Sequence, residues 1–302
     1  MQYLWGIDLG GTKIECAVLK ADDRQSVVAR KRIPTEAAKG YEHIIGQIVK
    51  LVEMVKAETH LVPQSVGFAT PGVLDPISQT MKNCNTVCMN GKAMKVDLEL
   101  ALGLPVLLAN DANCFALAEA TMGAALQVHD NPEVVFGVIM GTGVGGGVVV
   151  RGRVINGRQG IAGEWGHNFL DESGGECYCG KRGCNEQVFA GPALERFYAQ
   201  ISGQNLKMHE ILNRHLAGTD PHASHTINRL LEMYAKAISA IINVLDPDVI
   251  VLGGGLSNID LLYSEGYQRI QKYVFNNRLD TLIVRPALGD SAGVFGAALL
   301  TV

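Results

Sequence analysis

A pair of glycines between two apolar runs near the start of the chain constrains the fold more than any other feature. Residues 3–9 read YLWGIDL, Gly10 and Gly11 follow, and residues 14–19 read IECAVL. Two strands that are joined by two glycines predict a tight hairpin, because glycine tolerates the backbone conformations of such a turn. The backbone N–H groups of this hairpin can approach a phosphate closely.

Polar residues flank the glycine pair in an order that suits phosphate chemistry. Asp8 lies at the end of the first strand, where its carboxylate can hold Mg²⁺ directly or through water. Thr12 and Lys13 add a hydroxyl and a positive charge. A turn of this kind also occurs without any ligand, so the function depends on whether other segments agree.

Two further glycine clusters do agree. Met140–Gly147 lies between the apolar runs Val134–Ile139 and Val148–Val150, and Gly253–Gly255 follows the apolar run Val249–Leu252. Neither cluster has the Walker A pattern, and neither lies in a Rossmann unit with an acidic residue about 20 positions further on. Three turns from a strand into glycines can surround a nucleotide from two sides.

Three cysteines and a histidine form the second strong motif. Cys177, Cys179 and Cys184 follow His167 at short range, with glycines between them that allow a tight loop. Three thiolates and one imidazole make a closed tetrahedral ligand set for structural zinc. A disulfide needs an oxidising compartment and would leave one of the three cysteines unpaired, so zinc is the favoured interpretation. The other cysteines are interpreted as reduced thiols: Cys16, Cys84, Cys88 and Cys114.

The spacing of apolar residues predicts strands and helices that alternate along the chain. The predicted helices are Tyr41–Ala57, Cys114–Met122, His225–Leu245 and Ser291–Leu300, and the predicted strands include Val66–Ala69 and Val106–Ala109. Asp111 precedes one of these helices and can cap it, since Asp and Asn are favoured there. A helix start also suits a catalytic carboxylate, because a positioned carboxylate accepts the proton of an attacking hydroxyl.

The composition is typical of a soluble globular protein. The chain has 302 residues, of which 47% are hydrophobic and 19% charged. Its net charge of −4 gives no electrostatic case for binding nucleic acid. We see no signal peptide, and the many glycines make Val134–Val150 a poor membrane helix. We therefore expect a cytoplasmic enzyme with no nucleic acid or membrane partner.

With these motifs in this order, the chain resembles the ROK family of sugar kinases, within the actin/hexokinase/Hsp70 superfamily. The resemblance rests on residues 8–13 (DLGGTK), on residues 141–167, on Gly253–Gly255 and on a helix after Asp290. It implies an α/β fold with two ribonuclease H-like domains around a central cleft. The small lobe would comprise residues 1–117 and 290–302, and the large lobe, with the zinc site, residues 118–289. Members of the family are commonly homodimers.

The resemblance also implies roles for individual residues. Asp111 would be the catalytic base. The residues implied to bind ATP and its Mg²⁺ are Asp8, Gly10, Gly11, Thr12, Lys13, Gly141, Thr142, Gly143, Gly254 and Gly255. The residues implied to bind the sugar, besides Asp111, are Asn85, Asn110, Glu164, His167 and Glu186. His167 would ligate zinc through one ring nitrogen and direct the other towards the sugar.

The sugar itself is predicted from finer detail. Residues 108–114, 162–168, 177–181 and 245–258 resemble most closely those of bacterial fructokinases that also accept mannose. We therefore expect transfer of the γ-phosphoryl group of ATP to the 6-hydroxyl of a hexose, with fructose as the first choice. N-acetylglucosamine kinases share much of this pattern, and the short loop between His167 and Cys177 resembles glucokinases.

An alternative from another class is a sugar-responsive transcriptional regulator of the same family without kinase activity. Such regulators carry a DNA-binding helix-turn-helix before the phosphate hairpin, whereas here the hairpin comes at once and the overall charge is acidic. A third alternative is a sugar-binding protein that has lost catalysis, but Asp8, Asp111 and the glycine loops are all present.

Overall fold

A computed structural model describes residues 2–302 of the chain. Its twelve strands are β1 (Tyr3–Leu9), β2 (Lys13–Lys20), β3 (Val27–Pro34), β4 (Val66–Thr70), β5 (Val73–Leu74), β6 (Met81–Lys82), β7 (Val106–Asn110), β8 (Val134–Met140), β9 (Val144–Val150), β10 (Arg153–Val154), β11 (Val249–Gly253) and β12 (Leu282–Val284). Its ten α-helices are α1 (Tyr41–Thr59), α2 (Met94–Leu102), α3 (Asp111–Thr121), α4 (Ala124–Val128), α5 (Asn185–Phe189), α6 (Gly191–Ser202), α7 (Met208–Leu216), α8 (Pro221–Leu245), α9 (Glu265–Ile270) and α10 (Ala292–Leu299).

The first sheet has five strands in the order β3-β2-β1-β4-β7. The pairs β1–β2 and β2–β3 are antiparallel, whereas β1–β4 and β4–β7 are parallel. Gly10 and Gly11 connect β1 to β2, as the sequence predicts. Strand β1 is the central strand and is buried along nearly its whole length. Asp8 lies near its carboxyl end, directly before the glycine hairpin.

The second sheet repeats the same scheme in the order β10-β9-β8-β11-β12. Strands β9 and β10 are antiparallel, and β11 runs parallel to both β8 and β12. The glycines of residues 141–143 connect β8 to β9, and Gly253–Gly255 follows at the end of β11. Two five-stranded sheets of matching order, with helices, confirm the predicted α/β class.

The contacts divide the chain into two compact units. The first unit comprises Met1–Gln127, Gly147–Gly163 and Ala287–Val302, and the second comprises Val128–Gly146 and Glu164–Pro286. The first unit thus contains residues 147–163, which the predicted lobe boundaries assign to the large lobe. In the first unit, glycines allow α10 to pack against the sheet, since a Cβ at Gly67 would lie 1.8 Å from the carbonyl oxygen of Ala297.

Most predicted elements are present, and their bounds differ by a few residues. Helix α1 extends two residues beyond the predicted end, and α8 begins four residues before the predicted start, with Asp220 as its N-cap. Helix α3 begins at Asp111 rather than at Cys114. Among residues 2–302, no helix combines the length and the apolar character that crossing a bilayer requires.

The proposed cap of α3 needs a correction. The N-cap is Asn110, whose side-chain oxygen accepts a hydrogen bond of 2.8 Å from the backbone N–H of Asn113. Asp111 is instead the first residue of the helix, and its carboxylate accepts a hydrogen bond of 2.8 Å from the N–H of Ala112. Because Asn110 already caps the helix, Asp111 is not needed for that purpose.

Candidate functional site

In the first unit, a threonine from the end of β3 holds the glycine hairpin in place. The hydroxyl of Thr35 donates a hydrogen bond of 2.6 Å to the carbonyl oxygen of Gly10, and its backbone N–H donates to the carbonyl oxygen of Thr12. Thr35 is fully buried, while Gly11, Thr12 and Lys13 are exposed. The turn therefore presents its outer face to solvent on a fixed support, as a phosphate-binding hairpin requires.

Two carboxylates of the first unit interact electrostatically. The pKa of Asp8 is raised to about 6, first by burial and then by the negative charges of Asp111 and Glu15, against the lowering effects of Lys13 and Arg32. The pKa of Asp111 is also raised, because the surrounding protein displaces water from it, although solvent still reaches the residue. Two carboxylates with raised pKa values are a common feature of catalytic sites.

The first turn of α10 approaches the carboxylate of Asp8. A Cβ at Gly293 would lie 3.0 Å from the Oδ2 atom of Asp8. The small residue leaves room beside the carboxylate, where a larger side chain would crowd it.

Residues 82–91, the loop that contains the predicted sugar-binding residue Asn85, lie beside the glycine hairpin within the first unit. A Cβ at Gly11 would lie 3.5 Å from the hydroxyl of Thr86, and Asn85, one residue earlier, is exposed. Asn90 closes the loop: its side chain accepts from the N–H of Cys84 and donates to the carbonyl oxygen of the same residue. The loop is therefore shaped by its own side chains, as a positioned binding loop would be.

In the second unit, the two glycine turns lie next to each other. A Cβ at Gly141 would lie 3.6 Å from the backbone nitrogen of Gly255. Gly254 has a φ of +78°, and a Cβ there would lie 2.3 Å from the carbonyl oxygen of Met140. Because only glycine fits this position, the two turns can approach each other closely. The N–H of Gly191, the first residue of α6, donates to the carbonyl oxygen of Gly141.

Glu186 lies against the first of these turns. Its Oε2 atom accepts a hydrogen bond of 3.1 Å from the backbone N–H of Val144, and a Cβ at Gly143 would lie 2.5 Å from the same oxygen. One oxygen of the Glu186 carboxylate is thus bonded to the backbone directly after the glycine turn.

The four predicted zinc ligands come together in the second unit. The ligand atoms of His167, Cys177, Cys179 and Cys184 all lie within 4.8 Å of one another. The Sγ atoms of Cys179 and Cys184 are 3.6 Å apart, and Cys177 Sγ lies 3.4 Å from His167 Nδ1. A tetrahedral Zn²⁺ with Zn–S bonds of about 2.3 Å implies ligand separations of about 3.8 Å, so the donor set fits this ion.

The segment that carries His167 is anchored by buried groups. The indole N–H of Trp165 donates a hydrogen bond of 2.8 Å to the carbonyl oxygen of Gly145, and Asn185 donates one of 2.7 Å to the carbonyl oxygen of Trp165. A Cβ at Gly166 would lie 1.8 Å from the carbonyl oxygen of Val144, so that position requires glycine. The ring of His167 is therefore placed by rigid neighbours.

The second nitrogen of His167 has a partner that sequence reasoning missed. Its Nε2 atom lies 2.9 Å from the hydroxyl oxygen of Tyr178, and the two rings meet edge to face with centroids 5.0 Å apart. Tyr178 is 77% exposed. Its position between Cys177 and Cys179, two of the predicted zinc ligands, was the available signal, but many residue types can stand there.

The predicted site residues are divided between the two units. The first unit contains Asp8, Gly10, Gly11, Thr12, Lys13, Asn85, Asn110 and Asp111. The second unit holds Gly141, Thr142, Gly143, Glu164, His167, Cys177, Cys179, Cys184, Glu186, Gly254 and Gly255. Thr35 and Tyr178 are the additions that the structure makes to these groups.

Known proteins resemble the chain over almost its whole length. An N-acetyl-D-glucosamine kinase from Vibrio parahaemolyticus is 37% identical over 306 residues, which cover 98% of each chain. The crystal structure of a ROK hexokinase from Thermus thermophilus superposes with a TM-score of 0.87 at 33% identity, covering 99% of this chain and 97% of that one. A ROK family glucokinase from Streptomyces griseus, in complex with glucose and AMPPNP, gives a TM-score of 0.77 at 25% identity, covering 99% and 98%.

The chain has the α/β fold of hexokinase-like kinases. Its five-stranded sheet occurs twice, with glycine turns at the strand ends, and two carboxylates interact in the first unit. The sequence matches the ROK family over residues 4–302. The chain belongs to the ROK family, and its relatives place it among the sugar kinases of that family.

Proposed function

We propose that the chain is an ATP-dependent kinase that transfers the γ-phosphoryl group to the 6-hydroxyl of N-acetylglucosamine. The observation that carries the choice of sugar is the 37% identity, over 98% of both chains, to the Vibrio parahaemolyticus N-acetyl-D-glucosamine kinase. The sequence prediction of fructose gains no support from the relatives described above. Fructose and mannose therefore become comparison substrates in the test.

Asp111 is the proposed base of the reaction. It accepts the proton of the 6-hydroxyl while that oxygen forms a bond to the γ-phosphorus, and the bond to the bridging oxygen of ADP breaks. The raised pKa of Asp111 favours this role, because a stronger base accepts the proton more readily as long as it is ionised at the working pH. Asn110, adjacent in sequence and capping α3, fixes the backbone that carries Asp111.

The phosphates are proposed to bind at the glycine turns. The hairpin Gly10–Gly11, with Thr12 and Lys13, and the turn Gly141–Gly143 supply backbone N–H groups, a hydroxyl and a positive charge. Asp8 would hold Mg²⁺, which neutralises phosphate charge in reactions of this class. The pair Gly254 and Gly255 is proposed for the adenosine.

The residues proposed to contact the sugar are Asn85, Asn110, Glu164, His167 and Glu186. The carboxylates accept hydrogen bonds from sugar hydroxyls, and the amides both donate and accept. Zn²⁺ bound by His167 and the three cysteines would stabilise the loop that presents these groups.

The test is ADP release by purified protein with Mg²⁺ and ATP across five sugars: N-acetylglucosamine, N-acetylmannosamine, glucose, fructose and mannose. We expect the highest kcat/KM for N-acetylglucosamine. Preference for fructose would keep the kinase and restore the original choice of sugar. If the protein binds a sugar but releases no ADP with any of the five, the regulator alternative replaces the kinase.

A further inference from the structure

The turn that follows β11 is held in shape by its own serine. Strand β11 ends at Gly253, and Gly255–Asn258 forms a short 3₁₀ turn. The backbone N–H of Ser257 donates a hydrogen bond of 3.1 Å to the carbonyl oxygen of Gly254, and its hydroxyl donates one of 2.7 Å to the same oxygen. Ser257 is buried, whereas Gly254 and Gly255 are exposed. The serine therefore fixes the inner side of the turn and leaves the two glycines, which are proposed for the adenosine, accessible to a ligand.

Two side chains from outside the turn bond to the carbonyl oxygen of Ser257. The hydroxyl of Tyr263 donates a hydrogen bond of 2.8 Å to this oxygen, and the guanidinium of Arg285 donates one of 3.3 Å. A carbonyl oxygen has two lone pairs, so it can accept from both donors at once. Burial raises the pKa of Tyr263 to about 12, against the lowering effect of Arg285, so the phenol keeps the proton that it donates.

Tyr263 and Arg285 also hold each other in place. The guanidinium carbon of Arg285 lies 4.4 Å from the centre of the Tyr263 ring, which is the range of a cation–π contact. The same guanidinium bonds to the carboxylate of Asp260. Arg285 directly follows β12, which pairs in parallel with β11, so it reaches the turn from the carboxyl end of the neighbouring strand. Ligands of open α/β sheets bind at these carboxyl ends.

We propose that Tyr263 and Arg285 are positioning residues for the nucleotide, which fix the adenosine-binding turn through the carbonyl oxygen of Ser257. This inference rests on the proposed function, because it assigns the support of the nucleotide subsite at Gly254 and Gly255. Neither side chain has to touch the nucleotide in this role. When a donor is lost, the free turn is less ordered, and the nucleotide has to order it on binding, which costs affinity. The affinity for the sugar should not change.

The experiment compares wild-type protein with Tyr263→Phe, which removes the hydroxyl and keeps the ring beside the guanidinium of Arg285. Isothermal titration calorimetry with ADP and Mg²⁺, in the absence of sugar, measures the affinity for the nucleotide directly. Since one neutral hydrogen bond corresponds to roughly 2- to 13-fold, we expect the Kd of ADP to rise by about 3- to 10-fold. The KM of ATP should rise equally, with kcat and the KM of the sugar within about twofold of wild type.

Tyr267→Phe is the matched control. The hydroxyl of Tyr267 donates a hydrogen bond of 2.8 Å to the carbonyl oxygen of Leu279, and both residues belong to the second unit. The two substitutions therefore remove bonds of the same kind and the same length. We expect Tyr267→Phe to leave the Kd of ADP unchanged.

Arg285→Met is the second test, because it removes the guanidinium and keeps an unbranched side chain at an exposed position. We expect the Kd of ADP to rise by about 3-fold or more, since a cation–π contact is lost together with the hydrogen bond. Arg278→Met is the control for the loss of a positive charge, since Arg278 is an exposed arginine that pairs with Asp280 over 2.6 Å. It should leave the Kd of ADP unchanged.

The possible results separate this inference from the proposed function. An unchanged Kd of ADP in Tyr263→Phe would overturn the inference alone, and so would equal weakening in Tyr263→Phe and Tyr267→Phe. A KM of the sugar that rises as much as that of ATP would also overturn it, because the effect would not be specific to the nucleotide. Equal effects of Arg285→Met and Arg278→Met would remove Arg285 from the role. Wild-type protein that binds no ADP would overturn the proposed nucleotide site and, with it, this inference.

Discussion

The carboxylate of Glu186 accepts a hydrogen bond from the backbone N–H of Val144 over 3.1 Å. Val144 is the first residue of β9, directly after the turn Gly141–Gly143, and Glu186 is two residues after Cys184, the last of the predicted zinc ligands. A residue proposed to bind the sugar is thus bonded to a turn proposed to bind phosphate, within one compact unit.

Gly143→Ala tests this connection. The new methyl group would lie 2.5 Å from Oε2 of Glu186, so the carboxylate has to move and loses its bond to Val144. We expect the KM values of both sugar and ATP to rise, because one displacement disturbs both proposed sites. Steady-state kinetics with each substrate varied in turn measures this. Gly175→Ala is the control, since a methyl there would meet its nearest atom at 3.9 Å. If only the KM of ATP rises and that of the sugar is unchanged, Glu186 is not a sugar ligand.

Asp111→Asn tests the proposed base. Asparagine keeps the shape of the side chain and an oxygen that can accept from the N–H of Ala112, so α3 should begin as before. We expect kcat to fall by about 10²- to 10⁴-fold, the usual contribution of a general base. The Kd of the sugar should change far less, because binding does not require proton transfer. Quenched-flow kinetics measures the catalytic rate, and calorimetry measures the Kd of the sugar. A kcat within threefold of wild type would remove Asp111 from this role.

The raised pKa of Asp8 predicts a dependence of stability on pH. Its pKa is about 6 in the folded chain against 3.8 in the unfolded chain, so the folded state binds more protons between these values. The free energy of unfolding therefore falls as the pH rises from about 4 to above 6. Asp8→Asn removes this penalty, and we expect it to stabilise the protein by at most about 3 kcal/mol at pH 8 and not at all near pH 4.

Urea unfolding of Asp8→Asn at several pH values measures the effect. Asp75→Asn serves as the control with opposite sign, since bonds from Lys82 and from the N–H groups of Ser78 and Ile77 lower the pKa of Asp75. That substitution should destabilise the protein at neutral pH. Activity of wild type should also decline as the pH falls through about 6, because protonated Asp8 no longer holds Mg²⁺. A pH-independent difference between Asp8→Asn and wild type would contradict the raised pKa.

Sequence reasoning succeeds here where the signal is local. The hairpin at Gly10 and Gly11 is predicted because two glycines between strands leave few other conformations. The proximity of His167 and the three cysteines is predicted because these four residues lie in one short segment, so no long-range pairing has to be inferred.

The features that sequence reasoning misses depend on distant contacts or on a choice between neighbours. The bond from Thr35 to Gly10 spans 25 positions. Glu119 is fully buried, and its carboxylate accepts from the N–H groups of Ala287 and Leu288, which no local pattern indicates. Asn110 and Asp111 are both good caps, and only the structure shows that Asn110 performs this function.

Removal of a metal ligand tests the cluster. Cys179→Ser replaces one of four donors, and we expect zinc to fall from about one per chain to well below that after dialysis against a chelator. Sugar affinity should weaken, because the loop that carries His167 loses its anchor, whereas ATP affinity should change little. Mass spectrometry of the metal and calorimetry of the sugar provide the two readouts. Cys88→Ser, outside the cluster, should retain wild-type zinc. Full zinc in Cys179→Ser would contradict the ligand assignment.

Thr35→Val tests whether the buried hydroxyl supports the phosphate hairpin. Valine has nearly the same shape, so the substitution removes the hydrogen bond to the carbonyl oxygen of Gly10 while it keeps the packing. The carbonyl loses its partner, and we expect the free energy of unfolding to fall by up to about 0.5–1.5 kcal/mol. We also expect the turn to become less ordered. We expect the KM of ATP to rise several-fold with little change in sugar affinity. Thr121→Val is the control, because it removes a comparable bond to the carbonyl oxygen of Leu117 within α3. If both variants lose stability alike and neither changes the KM of ATP, Thr35 supports the fold but does not organise the hairpin for nucleotide.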